Sequence, residues 1–500
     1  MKIKNQILLV ILVTCTVTGF SQLTVLNNYL MLNQKTDVYP VISNPNDGFP
    51  MLFISGKEIR VFYLTDECKF QKEILLRKPT KNSKRYLGSY IVDSNLIITF
   101  SNKKLTFVSQ LIVNLRTDDY YERTNNLISE NQKYLTSWEK DENLIVLGIV
   151  ENTNKLIVST FNGYGDASVN EYDFDDLYID RIITNSSLYH LFNINEGKLQ
   201  KIDYTIPVSL GITSARNKSY LINDEIIITI DLFDNVTYYL NINLSDNTYK
   251  IHSYNCNLSD SSNSASTKHN SFIYDNTIFQ LSINKFEVGL KVQSLSDTNR
   301  VSSYHSSNVR NIDFTNSSMI LRNEKEGFLY GNPEERNIKK ARKFLRIISR
   351  MKPAISVFRK HTDFQILMGG VVETQQAKGV ISEAIMVSGG EMIVGPGGNL
   401  IMPDPIYNFP SNYSFSSYSS RKAAYFSSVI NATTYTHNYK SISKYTYDYI
   451  FDYANYMPGR FGLVTIFKLK GDYYLGYYSY SSHTYNIEWF KNIDDHVIRF

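Results

Sequence analysis

Ser89-Tyr90-Ile91-Val92-Asp93-Ser94-Asn95-Leu96-Ile97-Ile98 is echoed twice further along the chain. Ser219-Tyr220-Leu221-Ile222-Asn223-Asp224-Glu225-Ile226-Ile227-Ile228 is the second copy, and Ser271-Phe272-Ile273-Tyr274-Asp275-Asn276-Thr277-Ile278-Phe279-Gln280 is the third. Each is a short apolar strand, a turn built on Asp or Asn, and a second apolar strand. Asp and Asn suit such turns because their side chains bond the nearby backbone and tolerate left-handed φ. Self-similarity of this kind marks a repeat architecture.

The units continue past the shared words. Leu105, Phe107, Leu111, Val113 and Leu115 follow the first, Tyr238, Leu240, Ile242 and Leu244 the second, and Phe286, Val288, Leu290 and Val292 the third. Their period-two alternation places these side chains on one face of a strand. Turn residues close each run at Arg116-Thr117-Asp118-Asp119, Leu244-Ser245-Asp246-Asn247 and Leu295-Ser296-Asp297-Thr298. Each unit therefore reads as a meander of about four antiparallel strands.

Ser219 and Ser271 lie 52 residues apart. The longer interval from Ser89 to Ser219 leaves room for two weaker units. One runs from Ser137 to Asn162, and the other from Ser187 to Leu210 with Leu188-Tyr189-His190-Leu191-Phe192 as a strand. A hairpin is expected at residues 51–63, another unit opens at Ile312-Asp313-Phe314, and a final hairpin spans residues 463–478. This layout resembles a β-propeller. The resemblance implies a mainly β chain of about seven blades, within a range of six to eight, filling residues 22–500 as one domain. A large β-sandwich or two β domains is the competing architecture. The resemblance is to the architecture alone, because the Gly-His and Trp-Asp pair of WD repeats, the double glycine of kelch repeats and the Asp-box of sialidases do not recur. In a closed ring, Leu23-Thr24-Val25-Leu26 is the natural strand to complete the last blade beside the C-terminal hairpin.

The N-terminal residues read as an export signal over 1–21. Lys2 and Lys4 precede the short apolar run Ile7-Leu8-Leu9-Val10-Ile11-Leu12-Val13, and small residues stand at Gly19 and Ser21. The Gly-Phe-Ser-Gln ending resembles bacterial export signals. Leu12-Val13-Thr14-Cys15 is shaped like a lipobox, so lipoprotein anchoring at Cys15 competes, although Thr14 departs from the usual small residue. No later stretch is apolar over the roughly 18 residues that a membrane helix needs. A secreted or periplasmic chain without a membrane span, and a monomer, is expected. Cys68 and Cys256 remain after cleavage. Export permits a disulfide between them; two buried thiols in separate blades is the alternative.

The formal charge of +4 includes Lys2 and Lys4, and it is too balanced for a nucleic-acid surface. The 38 tyrosines against 2 tryptophans offer rings with an apolar face and a polar tip, which suits glycan or protein contact; they also simply fill strands.

Two stretches break the pattern. Residues 332–353 read as a basic helix inserted in the late blades. Asn332 is placed to cap it, Glu335 to complete a capping box, and Ile338, Ala341, Leu345 and Ile348 recur at helical spacing. Its Lys339, Lys343 and Arg350 are candidate partner-binding residues; a solvated face over a packed apolar stripe is the plainer reading. Residues 374–458 read as a second insertion, Gly-rich and then Ser/Tyr-rich, with a helix near 443–457. Leu400 stands where a dinucleotide fingerprint wants glycine, and no phosphate loop occurs.

Catalytic motifs are absent: there is no Gly-x-Ser-x-Gly, no His-Glu-x-x-His, and the eight His residues are scattered. The densest acidic cluster, around Asp173, Asp175 and Asp176, is a candidate calcium loop, although its spacing departs from the EF-hand; a solvated loop competes. No other cofactor is implied. The expected function is a secreted or periplasmic binding or scaffold module for a glycan, peptide or protein. The alternative is an extracellular carbohydrate-active hydrolase or lyase with its carboxylates at the propeller funnel.

Overall fold

The computed structural model describes residues 23–494 except 31, 33–35, 44–47, 57, 80–84, 103, 127–131, 164–166, 175–186, 194–196, 234, 257–266, 298, 324–333, 373–392, 395–399, 402–421 and 457–460. The expected export signal, with Cys15, lies outside these residues.

The three repeated words become paired strands of three sheets, Arg85–Val92 with Asn95–Ser101, Asn217–Ile222 with Glu225–Phe233, and Lys268–Tyr274 with Thr277–Ile283. Among the described residues there are seven sheets of four or five strands and one two-stranded ribbon, Ile393–Val394 with Leu400–Ile401. The first sheet is Asp37–Pro40, Phe49–Ile54, Glu58–Leu64 and Phe70–Arg77. The second is Arg85–Val92, Asn95–Ser101, Phe107–Asn114 and Tyr120–Asn126, and the third Gln132–Lys140, Asn143–Val150, Lys155–Phe161 and Ala167–Asp173. The fourth runs Asn217–Ile222, Glu225–Phe233, Val236–Asn243 and Thr248–Asn255, with Leu199–Lys201 added in parallel beside Asn217–Ile222. The fifth is Lys268–Tyr274, Thr277–Ile283, Glu287–Ser294 and Val301–Ser307. The sixth orders Lys352–Lys360, Asp363–Val372, Lys422–Asn431, Ile320–Asn323 and Glu334–Asn337. The seventh is Phe461–Leu469, Asp472–Ser479 and Thr484–Phe490, and Leu23–Tyr29 pairs antiparallel with Thr484–Phe490, as the sequence leads one to expect.

The shared turn residues have a common structural job. Asp93, Asn223 and Asp275 take φ of 53°, 54° and 49° at the first turn of their hairpins. The next residue offers its carbonyl to a leucine in the following turn: Leu115 N donates to Ser94 O at 2.8 Å, Leu244 N to Asp224 O at 2.8 Å, and Leu295 N to Asn276 O at 2.9 Å. Two turns at the same end of each sheet are thereby locked together. In the first two cases the asparagine ahead of the leucine, Asn114 or Asn243, accepts two backbone N–H groups through its side chain.

The second strand of a unit is buried at nearly every position because both of its faces are covered. In Asn95–Ser101, Leu96, Ile98 and Phe100 pack with Leu52 and Val61 of the first sheet, while Ile97 packs with Leu144 and Val146 of the third. Other cores join the third sheet to the fourth, through Leu147, Val158, Ile228 and Leu240, and the seventh to the first, through Phe467, Tyr485, Phe49 and Phe53. A larger core runs from the fourth sheet through the fifth and sixth to the seventh. The architecture is thus a β-propeller-like repeat of antiparallel sheets.

Four expectations change. Leu188–Asn193 is a helix, not a strand: Leu188, Leu191 and Phe192 fall at helical spacing and are all buried between the third and fourth sheets. Ile312 and Phe314 are buried from a loop. The basic helix is Ala341–Ile348, shorter than residues 332–353. Its expected first turn is instead the strand Glu334–Asn337, held by the ladder to Ile320–Asn323, and Asn332 lies outside the described residues. The segment 374–458 is not wholly an addition, since its Lys422–Asn431 sits in the middle of the sixth sheet between Ile320–Asn323 and Asp363–Val372. The helix near its end spans Thr446–Tyr456. Cys68 and Cys256 are separate buried thiols, and burial pushes the Cys68 thiol up to about 12.

The fourth and fifth sheets are joined by buried charge. Lys218 and Asp231 are both fully buried, with Nζ 3.1 Å from Oδ2. Thr237 Oγ1 donates to Asp231 Oδ1 at 2.7 Å, and Ser271 donates to Oδ2 from its backbone N at 2.8 Å and from Oγ at 2.9 Å. Burial pushes the Asp231 carboxyl up, but Lys218, His269 and these hydrogen bonds outweigh it and hold the group below its ordinary range. His269 Nε2 lies 3.1 Å from Val236 O, and a carbonyl only accepts, so Nε2 carries the proton. Burial holds the His269 imidazole below its usual value despite Asp231 3.7 Å away. A depressed histidine contributes stability that is full above its unfolded pKa of about 6.5 and is lost as pH falls through the folded value. His269→Gln is therefore expected to flatten the loss of stability on acidifying from pH ~7 to ~5. Urea denaturation of both proteins across that range checks it, and parallel pH profiles would remove His269 as the cause.

Candidate binding site

The first strands of the second and third sheets carry a second repeated word. Tyr86-Leu87-Gly88-Ser89 and Tyr134-Leu135-Thr136-Ser137 occupy matching places in Arg85–Val92 and Gln132–Lys140. Register shifts fall between Tyr86 and Gly88 and between Tyr134 and Thr136. Such bulges bend a strand and re-aim its side chains. Each brings the tyrosine back onto the serine three residues on: Tyr86 Oη is 2.7 Å from Ser89 Oγ, and Tyr134 Oη is 2.9 Å from Ser137 Oγ. Ser137 Oγ also bonds Leu87 O at 2.5 Å, which locks one bulge to the other.

The aromatic rings gather around one carboxylate. Tyr39 and Tyr86 lie 4.3 Å apart between ring centroids, and the Arg85 guanidinium sits 4.7 Å above the Tyr134 ring. Glu139 Oε1 accepts the Ser89 N–H at 3.1 Å. Gly88 makes that approach available, because a Cβ there would stand 2.9 Å from Glu139 Oε1 and 2.6 Å from Leu144 Cδ1. Burial, and then the negative charge of Glu139 among nearby groups, pushes the Tyr39, Tyr86 and Tyr134 phenols up, so all three stay protonated and can donate. Asp37, beside them on the first strand of the first sheet, has its carboxyl raised to about 6 by burial, which Lys78 only partly offsets.

On its other side Glu139 lines a cleft of about 370 Å³ between the third and fourth sheets, together with Trp138, Lys140, Lys201, Asp203 and Tyr204. Lys140 bridges to Asp224 and donates to Asn223 O at 2.6 Å; Lys201 donates to Ser137 O at 2.7 Å. Trp138 is 5 % exposed, and its Nε1–H has no hydrogen-bond partner among the described residues. The rings of Trp138 and Tyr204, the carboxylates of Glu139 and Asp203 and the ammonium groups of Lys140 and Lys201 around one cleft suit a ligand with both apolar faces and many hydroxyl groups.

The acidic candidates are placed differently. Lys155 Nζ lies 2.7 Å from Glu171 Oε1 and 3.4 Å from Asp173 Oδ2, so a lysine already occupies the space between these carboxylates. Asp175 and Asp176 lie outside the described residues. Among the described residues no cluster of three His, Cys, Asp or Glu is arranged to hold a metal. Lys339, Lys343 and Arg350 are exposed, on and beside the helix Ala341–Ile348, which packs on the sixth sheet and not on the third or fourth. No described helix is long and apolar enough to cross a membrane. The sequence reading missed Asp37, Tyr39, Tyr86, Tyr134 and Glu139. The doubled Tyr-Leu-x-Ser word was the available signal for two of them.

No family model and no curated protein matches the chain. Solved structures similar to it include the WD40 domain of SCAP from fission yeast, at 8% identity over 94% of each chain with a TM-score of 0.31. An oligogalacturonate lyase in complex with manganese is 7% identical over 82% of this chain and 97% of its own, with a TM-score of 0.31. A Synechocystis apocarotenoid oxygenase is 7% identical over 56% of this chain, with a TM-score of 0.30, and the match spans 64% of the oxygenase's length. These likenesses are too distant to carry chemistry over.

Proposed function

We propose that the seven sheets close into a seven-bladed propeller and that the cleft at Glu139 binds a glycan, with the chain acting outside the cytoplasm as a binding module. Ring closure is supported by the cores that join each sheet to the next and the seventh back to the first. The glycan reading rests on one observation, the convergence of Tyr39, Tyr86 and Tyr134 around Glu139, a residue that also lines the cleft. Sugars present C–H faces that stack on rings and hydroxyls that pair with carboxylates, and the site supplies both.

A glycan array followed by titration calorimetry tests this. Tyr134→Ala is expected to weaken binding about tenfold, the effect of losing about 1–2 kcal/mol of aromatic contact. Glu139→Gln keeps the acceptor for the Ser89 N–H and removes only the charge, so a loss there without a change in melting temperature locates the ligand at Glu139. An empty array, or a hit indifferent to both substitutions, overturns the proposal.

One observation favours the enzymatic alternative. A carboxyl raised to about 6, as in Asp37, is poised to exchange protons near neutrality, and Glu139 lies in the same tyrosine cluster. Polysaccharide cleavage that disappears in Asp37→Asn would replace the binding reading with that one.

A further inference from the structure

We propose that the basic face of the helix Ala341–Ile348 and its flanks is a binding surface for a linear anionic polysaccharide. Between Arg336 and Lys352 the chain carries eight Lys or Arg residues and no Asp or Glu. Lys339, Lys340, Arg342, Lys343, Arg346 and Arg350 are exposed, whereas Ala341, Phe344, Leu345 and Ile348 are buried. The cations therefore form one solvated face over an apolar stripe that is already used.

This concentration of charge works against the first turn of the helix. The helix has no acidic residue in its first turn, Lys340 stands at the N-cap without a side-chain cap bond, and Arg342 and Lys343 follow directly. Cations there oppose the positive end of the helix dipole, and adjacent like charges repel. The helix is held instead by its apolar side, where Phe344 meets Phe426 at 5.7 Å and Met351 packs against Gly370. Positions that work against local stability without serving packing are where a binding role is expected.

The same burial selects the partner. An interfacial helix needs its apolar stripe free to enter a bilayer, and here Phe344 and Leu345 are both 0 % exposed. A nucleic-acid surface calls for a domain with pI above about 9, whereas this chain stands near 8.5. A flexible acidic polymer needs only exposed cations spaced along one face, and the eight-residue helix supplies them over roughly 12 Å. This surface lies where the chain enters the first strand of the sixth sheet, Lys352–Lys360, so it is independent of the cleft between the third and fourth sheets.

Binding of the full chain to heparin and to polygalacturonate, with neutral dextran as the control, tests the proposal over a series of salt concentrations. The wild type is expected to bind both acidic polymers with an affinity that falls as salt rises. Lys339→Glu/Lys343→Glu/Arg350→Glu is expected to weaken this at least about tenfold with no change in melting temperature. Lys343→Gln/Arg346→Gln gives a smaller loss in the same direction. Undiminished affinity in the charge-reversed protein overturns the proposal, as does tighter binding to phosphatidylcholine–phosphatidylserine vesicles or duplex DNA than to either polymer. Glu139→Gln should leave this binding intact, which separates it from any failure of the reading of the cleft.

Discussion

A chain lacking residues 22–30 is expected to lose the cooperative unfolding of the whole molecule. The strand Leu23–Tyr29 contributes six paired positions to the edge of the seventh sheet, from Leu23 opposite Trp489 to Tyr29 opposite Thr484. Leu30 follows as a buried anchor: its N–H donates to His483 O at 2.7 Å, and Tyr478 Oη donates to its carbonyl at 2.8 Å. Each ladder bond contributes about 1 kcal/mol net, so the deletion costs on the order of 5 kcal/mol before the loss of Leu30 is added. It also leaves Thr484–Phe490 as a bare edge, open to pairing with another chain. The seventh sheet shares its core with the first, through Phe49, Phe53 and Met51, so the damage is not local. Thermal melts followed by circular dichroism, with size-exclusion chromatography, read out the result. An unchanged sharp transition in the truncated monomer would mean that the seventh sheet is complete without its N-terminal strand, and would argue against ring closure.

Asp231→Ala is expected to cost about 3–5 kcal/mol, because it strands the Lys218 ammonium without its counter-charge in a fully buried place. It also leaves Thr237 Oγ1 and both donors of Ser271 without their acceptor. Replacing the pair with Lys218→Met/Asp231→Leu should recover much of that loss, since a buried ion pair exchanged for apolar groups of similar size is often close to neutral. The carboxyl is held below its ordinary range, so its contribution is complete above a pH of about 4 and fades as pH falls through the folded value. Urea denaturation of the three proteins at neutral pH decides the point. A loss under about 1 kcal/mol in Asp231→Ala would show that water reaches the site and that the pair does not tie the fourth sheet to the fifth.

Strand positions were legible wherever local pattern and tertiary demand agreed. Leu96-Ile97-Ile98 and Ile226-Ile227-Ile228 read as buried strands because neighbouring sheets cover both faces of each. Asp93, Asn223 and Asp275 read as turns because left-handed backbone suits those residues. Patterning misled where a short apolar run fitted two periods. Leu188-Tyr189-His190-Leu191-Phe192 serves a strand or a single helical turn and a half, and the gap between the third and fourth sheets decided for the helix. Residues 334–337 had a helix signal at Glu335 that the ladder to Ile320–Asn323 overrode.

The repeat, the hairpins, the N-terminal strand beside the last hairpin and the basic character of the 336–352 segment were legible in the sequence. All of these are written in neighbouring residues, by side-chain period and turn chemistry. The candidate site came from tertiary packing alone. Tyr39, Tyr86, Tyr134 and Glu139 come from three sheets, and Asp231 meets Ser271 across 40 positions of chain. A separation in space between residues that far apart leaves no periodic trace, because it is fixed by how whole sheets pack and not by any local preference of the backbone.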